Sequence, residues 1–186
     1  KNLDLAQAAR RAGWVAVTFN YRGSWGSPGN FSFEGSEEDA LAMLAYLRDP
    51  KTALSLRVDP HRIVVAGHSM GGAITVQVAA KDRALIGAVL ISAWDMSSDA
   101  SEKHDKLVSD MADDMETLAG VTAEGMADAL TAHAADFSFA AGAPQLTDTP
   151  QLVLTSDDVG TERSAELLRT IRAKSGHHVT ANHCAA

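Results

Sequence analysis

Short apolar runs alternate with amphipathic stretches along most of the chain. Runs of four to seven residues rich in Val, Ile and Leu predict buried strands at 14–19, 62–66, 85–91, 151–155 and, more weakly, 178–181. Apolar residues at helical spacing predict helices over 3–12, 36–49, 72–81 and 164–174. Strands that alternate with such helices are typical of a parallel sheet covered on both faces. We therefore predict one α/β domain over residues 1–186, with a mostly parallel, doubly wound sheet.

The alternation breaks between residues 95 and 141. Residues 95–136 carry a net charge of −9, whereas the rest of the chain carries +1. This segment also holds four of the six methionines. Its pattern of apolar and acidic residues predicts two helices, over 99–118 and over 122–135, with Thr122 as the N-cap of the second. We predict a helical insertion at about 95–141 between two core segments, 1–94 and 142–186.

Composition excludes several classes of protein. The 186 residues carry a net charge of −8, and a nucleic-acid binder would need clustered Lys and Arg instead. No run of 18 apolar residues exists, so we expect no membrane span. The single cysteine, Cys184, rules out a disulfide within the chain, which fits a cytoplasmic location. Nothing in the composition sets the oligomeric state.

The sharpest motif is GHSMGG at residues 67–72, between a predicted strand and a predicted helix. A Gly-x-Ser-x-Gly motif in that context is typical of a nucleophile elbow, a tight turn that lifts the serine hydroxyl clear of the sheet. Ser69 is the predicted nucleophile. We expect that a Cβ at Gly67 or Gly71 would collide with the neighbouring strand or helix. The N–H of Met70 opens the following helix and is the predicted oxyanion donor.

A nucleophilic serine needs a base and an orienting acid, which in this architecture follow it in the order acid, then histidine. Asp157 and Asp158 come directly after the strand predicted at 151–155. We favour Asp158, because a short turn usually separates the strand from the acid. The alternative is that one or both aspartates only cap the next helix.

Three histidines near the end of the chain are candidates for the base. His177 and His178 open the last predicted strand, so they are expected at the wrong end of the sheet. His183 follows that strand and is the favoured base. The alternative is an ordinary surface histidine.

Other polar residues have simpler explanations. His104 and His133 lie among the acidic residues, but two distant histidines without a cysteine favour a solvated surface over a metal site. Arg22 is expected to hold a carboxylate beside a loop at the active end of the sheet. Ser24, Trp25 and Ser27 belong to that loop and could contact a substrate.

The runs NYRGSWGSPG, GHSMGG and LVLTSDD resemble the α/β-hydrolase superfamily, and above all its bacterial esterase and dipeptidyl-aminopeptidase-like groups. The resemblance implies hydrolysis of a small-molecule ester, or less often an amide, through an acyl-enzyme on Ser69. It implies no metal and no other cofactor. It also implies that the insertion at about 95–141 acts as a lid.

The same resemblance points to missing parts. It implies a further central strand between 14–19 and 62–66, whose following turn supplies a second oxyanion N–H. It also implies a catalytic histidine a few residues beyond position 186, in which case His183 is not the base. We therefore expect a hydrolase fragment clipped at both ends. A peptidase or acyltransferase of the same fold, or a non-catalytic pseudo-hydrolase that serves as a binding module, are the alternatives.

Overall fold

A parallel four-stranded sheet forms the centre of the protein. The computed structural model describes residues 3–156, 161–175 and 179–183. Its strands are β1 (Val64–His68), β2 (Gly87–Ile91), β3 (Gln151–Thr155) and β4 (Val179–His183). They lie in the order β1-β2-β3-β4, and every neighbouring pair is parallel. All four carboxyl ends therefore meet at one edge of the sheet, as the predicted α/β architecture requires.

The described residues also form eight α-helices, three of which precede β1. They are α1 (Leu3–Arg11), α2 (Phe33–Arg48), α3 (Pro50–Leu56), α4 (Met70–Lys81), α5 (His104–Asp113), α6 (Ala123–Ala132), α7 (Phe139–Gly142) and α8 (Thr161–Ser175). Short 3₁₀ turns lie at Met96–Ser101, Met115–Thr117 and Ala143–Leu146. No helix in the described part of the chain is long and apolar enough to cross a membrane.

Side-chain caps set where several helices begin. Ser32 caps α2 by accepting a hydrogen bond from the Gly35 N–H at 2.9 Å, so this helix starts three residues earlier than predicted. Asp49 caps α3 by accepting from the Thr52 N–H at 2.9 Å. Thr122 caps α6, as predicted, by accepting from the Gly125 N–H at 3.1 Å.

The prediction of a single helix over 99–118 is wrong. The chain forms the turn Met96–Ser101, then α5, then the turn Met115–Thr117. The serine hydroxyls explain the first break, because Ser98 donates to the Asp95 carbonyl at 2.7 Å and Ser101 donates to the Ser98 carbonyl at 3.3 Å. Such local bonds compete with an α-helical backbone.

The prediction of a buried strand over 14–19 is also wrong. This segment belongs to no described strand, and its Val15 and Val17 side chains are 53% and 44% exposed. The strand predicted over 62–66 does form, as β1, but at the edge of the described sheet, with Val64 36% exposed. Both exposures have the same cause. In the described part of the chain, no strand pairs with segment 14–19 on its side towards β1, and none pairs with β1 on its side towards segment 14–19.

A groove of about 520 Å³ occupies the space between these two segments. Segment 14–19 and β1 line its walls, while Leu44 of α2 and Ile74 and Val78 of α4 contribute apolar side chains. The family resemblance places its additional central strand at this position.

The core lies between the sheet and the helices α4 and α8. Helix α4 packs on β1 and β2, and α8 packs on β3 and β4. Ile74 and Val76 of α4 are at most 1% exposed. Val89 and Leu152 point to the opposite face of the sheet and are only partly buried. The helix-facing side therefore holds the densest packing and supports the elbow at the end of β1.

Candidate active site

Ser69 sits in the turn that joins β1 to α4, in a strained backbone conformation. Its φ of 53° and ψ of −121° place a non-glycine residue in a region that costs about 1–3 kcal/mol. Its N–H donates to the Ile91 carbonyl at 3.1 Å. Its own carbonyl accepts from the N–H groups of Gly72, Ala73 and Trp94 at 2.9, 3.2 and 3.0 Å. These bonds to α4 and to the end of β2 hold the turn in place.

The glycines around Ser69 differ in how much space they have. A Cβ at Gly67 would lie 1.9 Å from the Gly71 carbonyl oxygen, and one at Gly72 would lie 2.4 Å from the Ala93 Cβ. The expected clash at Gly67 is thus confirmed. The clash expected at Gly71 is wrong, because no atom lies within 4 Å of a Cβ there. Gly71 borders the open groove beside β1, which explains the free space.

The backbone N–H of Met70 starts helix α4 directly after Ser69. Helix α4 has 12 residues, so the positive end of its dipole lies at this turn. Among the described residues, no acceptor is bonded to the Met70 N–H. An unpaired N–H at this position suits the stabilisation of an oxyanion.

Of the residues predicted as acid and base, the structure describes only the backbone of His183. Asp157, Asp158, His177 and His178 lie outside the described residues. Strand β3, which precedes the two aspartates, ends at the same sheet edge as β1. That edge is where ligands and catalytic groups gather in parallel sheets.

His183 does not follow the last strand, contrary to prediction. Strand β4 runs over Val179–His183 and pairs His183 with Thr155 of β3, so this histidine is the final strand residue. Strands β2 and β3 separate β4 from β1. At a spacing of about 4.8 Å per strand, β4 lies about 14 Å from β1. A base at this position must therefore reach back across two strands.

Arg22 fixes the loop that leads into α2, and the expectation that it holds a carboxylate is confirmed. Its Nε and Nη2 donate to Oδ1 of Asp39 at 2.8 and 2.6 Å, and its backbone N–H donates to Oδ2 at 2.7 Å. Partial burial alone would raise the pKa of Asp39, but these bonds outweigh it and lower that pKa. Burial, together with the Asp39 charge, raises the pKa of the adjacent Tyr21 to about 12.

The same loop is hydrogen-bonded to the acidic insertion. The Trp25 N–H donates to the Thr117 carbonyl at 2.8 Å, and the Ala119 N–H donates to the Gly23 carbonyl at 2.7 Å. The Phe31 N–H donates to the Ala119 carbonyl at 2.9 Å. The middle of the insertion is thus joined to the core by backbone bonds.

Four aromatic side chains form a second contact between the core and the insertion. Phe33 packs edge-to-face on Phe31, Trp94 and Phe137, with ring centroids 5.8, 6.2 and 5.9 Å apart. We call this set the aromatic cluster. Phe33 is 2% exposed, so the cluster is a buried part of the core.

Asp95 is a buried acid that the sequence analysis did not single out. It is 7% exposed and lies four residues beyond the end of β2. Its Oδ1 accepts from the Ser97 hydroxyl at 2.7 Å and from the Phe139 N–H at 3.4 Å. It therefore joins the two ends of the insertion. The run Asp95-Met96-Ser97 could have indicated this role, because an Asp side chain commonly accepts a hydrogen bond from the backbone N–H two residues later.

The two histidines of the insertion lie beside carboxylates on its surface. His104 Nε2 lies 2.9 Å from Asp128 Oδ1, which joins α5 to α6. His133 lies 3.3 Å from Asp136 and 4.0 Å from Glu34 of α2. Each has a carboxylate partner and is partly exposed, as expected for a solvated face.

Comparison with known proteins identifies the fold family. A family model described as the alpha/beta hydrolase fold matches residues 4–185. No match was found among curated protein sequences.

Solved esterases share the architecture at low sequence identity. A Pyrococcus furiosus esterase is 13% identical with a TM-score of 0.68, covering 98% of this chain and 64% of that chain. A Pyrobaculum calidifontis esterase is 22% identical with a TM-score of 0.61, covering 95% and 58%. Brefeldin A esterase, a bacterial homologue of human hormone-sensitive lipase, is 20% identical with a TM-score of 0.61, covering 88% and 49%. This chain thus spans about half to two thirds of their lengths. Because the family model covers almost all of the chain, the protein belongs to the α/β-hydrolase fold family.

Proposed function

We propose that the protein is a serine hydrolase that cleaves carboxylic esters of small molecules through an acyl-enzyme on Ser69. The observation that carries the proposal is the backbone of Ser69, held at φ 53° between β1 and α4. Strained backbone conformations of this kind cluster at active sites and ligand-binding sites, where the strained geometry is part of the mechanism. Here the turn presents a hydroxyl at the sheet edge where parallel sheets bind ligands. The likeness to solved esterases supports the same reaction class.

The reaction proceeds in two halves. The Ser69 Oγ attacks the ester carbonyl carbon while a histidine removes its proton. The Met70 N–H stabilises the oxyanion that forms, and removal of one such donor typically costs about 10²-fold or more in rate. The histidine then gives the proton to the leaving alcohol. Water attacks the acyl-enzyme by the same route and releases the acid.

We assign the orienting acid to Asp158 and the base to His183. Asp158 follows β3, whose carboxyl end lies at the same edge as Ser69. His183 ends β4 at that edge as well, with β2 and β3 between it and β1. The assignment predicts that the Asp158→Asn and His183→Gln variants both lose turnover.

Ester turnover by serine variants tests the proposal. The Ser69→Ala variant should lower the hydrolysis of p-nitrophenyl acetate by about 10⁴-fold or more, because the members of a triad act as a unit. The Ser55→Ala variant is the matched control, since Ser55 is exposed on α3, away from the elbow. Turnover that survives in Ser69→Ala would refute the proposal. Parallel assays with a p-nitroanilide and with an added acceptor alcohol would separate an esterase from a peptidase or a transferase.

A further inference from the structure

Ser92 is a second serine with a strained backbone at the carboxyl edge of the sheet. It follows β2 directly and has a φ of 39°. The preceding residue, Ile91, pairs with His68 of β1, so Ser92 and Ser69 are the next residues on two neighbouring strands. Neighbouring strands lie about 4.8 Å apart. Two serines of positive φ therefore lie side by side where catalytic groups gather in a parallel sheet.

The turn at Ser92 does not by itself require a serine. Its N–H donates to the Leu154 carbonyl at 2.8 Å, and two residues later the Trp94 N–H donates to the Ser69 carbonyl at 3.0 Å. The positive φ thus helps the chain to pass around the elbow. A glycine would adopt this conformation at no steric cost. The side chain of Ser92 therefore needs an explanation of its own.

The Ser92 hydroxyl has no hydrogen-bond partner among the described residues. The serines of the following turn differ from it, because Ser97 donates to the Asp95 carboxylate and Ser98 to the Asp95 carbonyl, each at 2.7 Å. Ser92 is partly buried. A hydroxyl can donate one hydrogen bond and accept two. That of Ser92 is thus available to a molecule bound beside Ser69.

The strand order places Ser92 on the side of Ser69 from which the proposed base acts. From β1 the sheet continues through β2 and β3 to β4, which ends at His183. In ester hydrolysis the base returns its proton to the leaving oxygen, so this oxygen departs towards the base. Ser92 ends the first strand in that direction. The Met70 N–H, which serves the oxyanion, belongs to α4 instead.

We infer that Ser92 is a further catalytic residue of the proposed ester hydrolysis, and that its hydroxyl donates a hydrogen bond to the leaving oxygen of the ester. The inference rests on the acyl-enzyme at Ser69. When the bond between the carbonyl carbon and the leaving oxygen breaks, its electron pair stays on that oxygen, and the histidine supplies the proton that completes the alcohol. Ser92 keeps its own proton and stabilises the negative charge that develops before the transfer is complete.

Esters whose leaving groups differ in basicity test the inference. Ethyl acetate and 2,2,2-trifluoroethyl acetate are similar in size, but ethoxide is far more basic, so its departure depends more on a hydrogen-bond donor. We expect Ser92→Ala to lower kcat/KM for ethyl acetate about tenfold more than for the trifluoroethyl ester, as measured by acid release. Both esters form the same acetyl-enzyme, so the later hydrolysis of that intermediate is common to them. A loss of equal size for both esters would assign Ser92 a structural role and overturn the inference.

A second variant separates the hydroxyl from the backbone. Ser92→Gly removes the hydroxyl and also the strain, so it should unfold at a urea concentration no lower than the wild type while losing as much ethyl acetate turnover as Ser92→Ala. Arg57→Gly is the matched control, because Arg57 has a φ of 58° at the exposed end of α3. It should leave the turnover of both esters unchanged. Full ethyl acetate turnover in Ser92→Gly, or unfolding of this variant at lower urea, would overturn the inference.

The Ser69→Ala variant, assayed with the same two esters, separates failure of the inference from failure of the proposed function. We expect turnover to depend fully on Ser69, with a loss in the Ser92 variants that grows with the basicity of the leaving group. Turnover that persists in Ser69→Ala, or a folded wild type without turnover, would overturn both proposals. Turnover that requires Ser69 but falls equally for both esters in the Ser92 variants would overturn the role of Ser92 alone.

Discussion

The residues around Ser69 show how a turn of unfavourable backbone conformation is kept in one place. The Ser69 carbonyl accepts three N–H groups, one of them from Trp94 beyond the end of β2. Gly67 and Gly72 allow helix α4 to approach the sheet closely enough for these bonds to form. The motif predicted the tight turn between a strand and a helix correctly, because the requirements of such a turn are local. It could not predict that Gly71 faces open space, since that depends on what lies beside β1.

Alanine substitutions at two neighbouring glycines should therefore differ sharply. Gly67→Ala places a Cβ 1.9 Å from a backbone oxygen, so the free energy of unfolding should fall by about 3 kcal/mol or more. Gly71→Ala meets no atom within 4 Å and lies in a helix, so it should be neutral or stabilise by up to about 1 kcal/mol. Urea unfolding of both variants measures the difference. Similar losses at the two positions would contradict the described packing.

At the scale of elements, the predictions were accurate where the sequence signals were local, and they failed where an element depends on a partner distant in the sequence. Strand β3 begins and ends where predicted, because a proline and a polar turn bound a short apolar run. Helix α3 was missed although Asp49 and Pro50 are a common N-cap and first helical residue. Segment 14–19 has the composition of a strand, but composition cannot supply the partner that a strand needs. The position of β4 relative to Ser69 also depends on strand order, which no local pattern reveals.

The link between the loop at Arg22 and helix α2 should depend on pH. The pKa of Asp39 is lowered in the folded protein, so its ion pair stabilises the fold above the unfolded pKa of about 3.9 and is lost as the pH falls through the folded value. Asp39→Asn should lower the free energy of unfolding at pH 7 by about 1–2 kcal/mol, and by less at pH 3. Urea unfolding at both pH values measures this.

Glu38 provides the control for that measurement. Its side chain is 66% exposed and lies 3.1 Å from Arg22, so Glu38→Gln should cost less than about 0.5 kcal/mol at either pH. A penalty for Asp39→Asn that stays constant between pH 7 and pH 3 would show that the ion pair does not stabilise the fold.

At the scale of the whole molecule, the chain combines a well-packed site with an open sheet edge. The elbow, the aromatic cluster and the acidic insertion are joined by backbone bonds and buried rings. The opposite side of β1 faces a groove of about 520 Å³ that is lined by both apolar and charged residues. The family assignment covers residues 4–185, whereas the chain spans 49–64% of the three esterases compared above. The proposed chemistry therefore depends on whether this chain by itself activates Ser69.

Reaction with a fluorophosphonate probe tests that activation most directly, because the probe bonds covalently only to an activated serine. The intact mass of the chain is taken before and after reaction, and the modified residue is mapped by peptide analysis. We predict one phosphonyl group on Ser69, retained in Ser55→Ala and absent from Ser69→Ala and His183→Gln. An unchanged mass for the folded chain would contradict the assignment of Asp158 and His183 as the partners of Ser69, and a label that persists in Ser69→Ala would contradict Ser69 as the nucleophile.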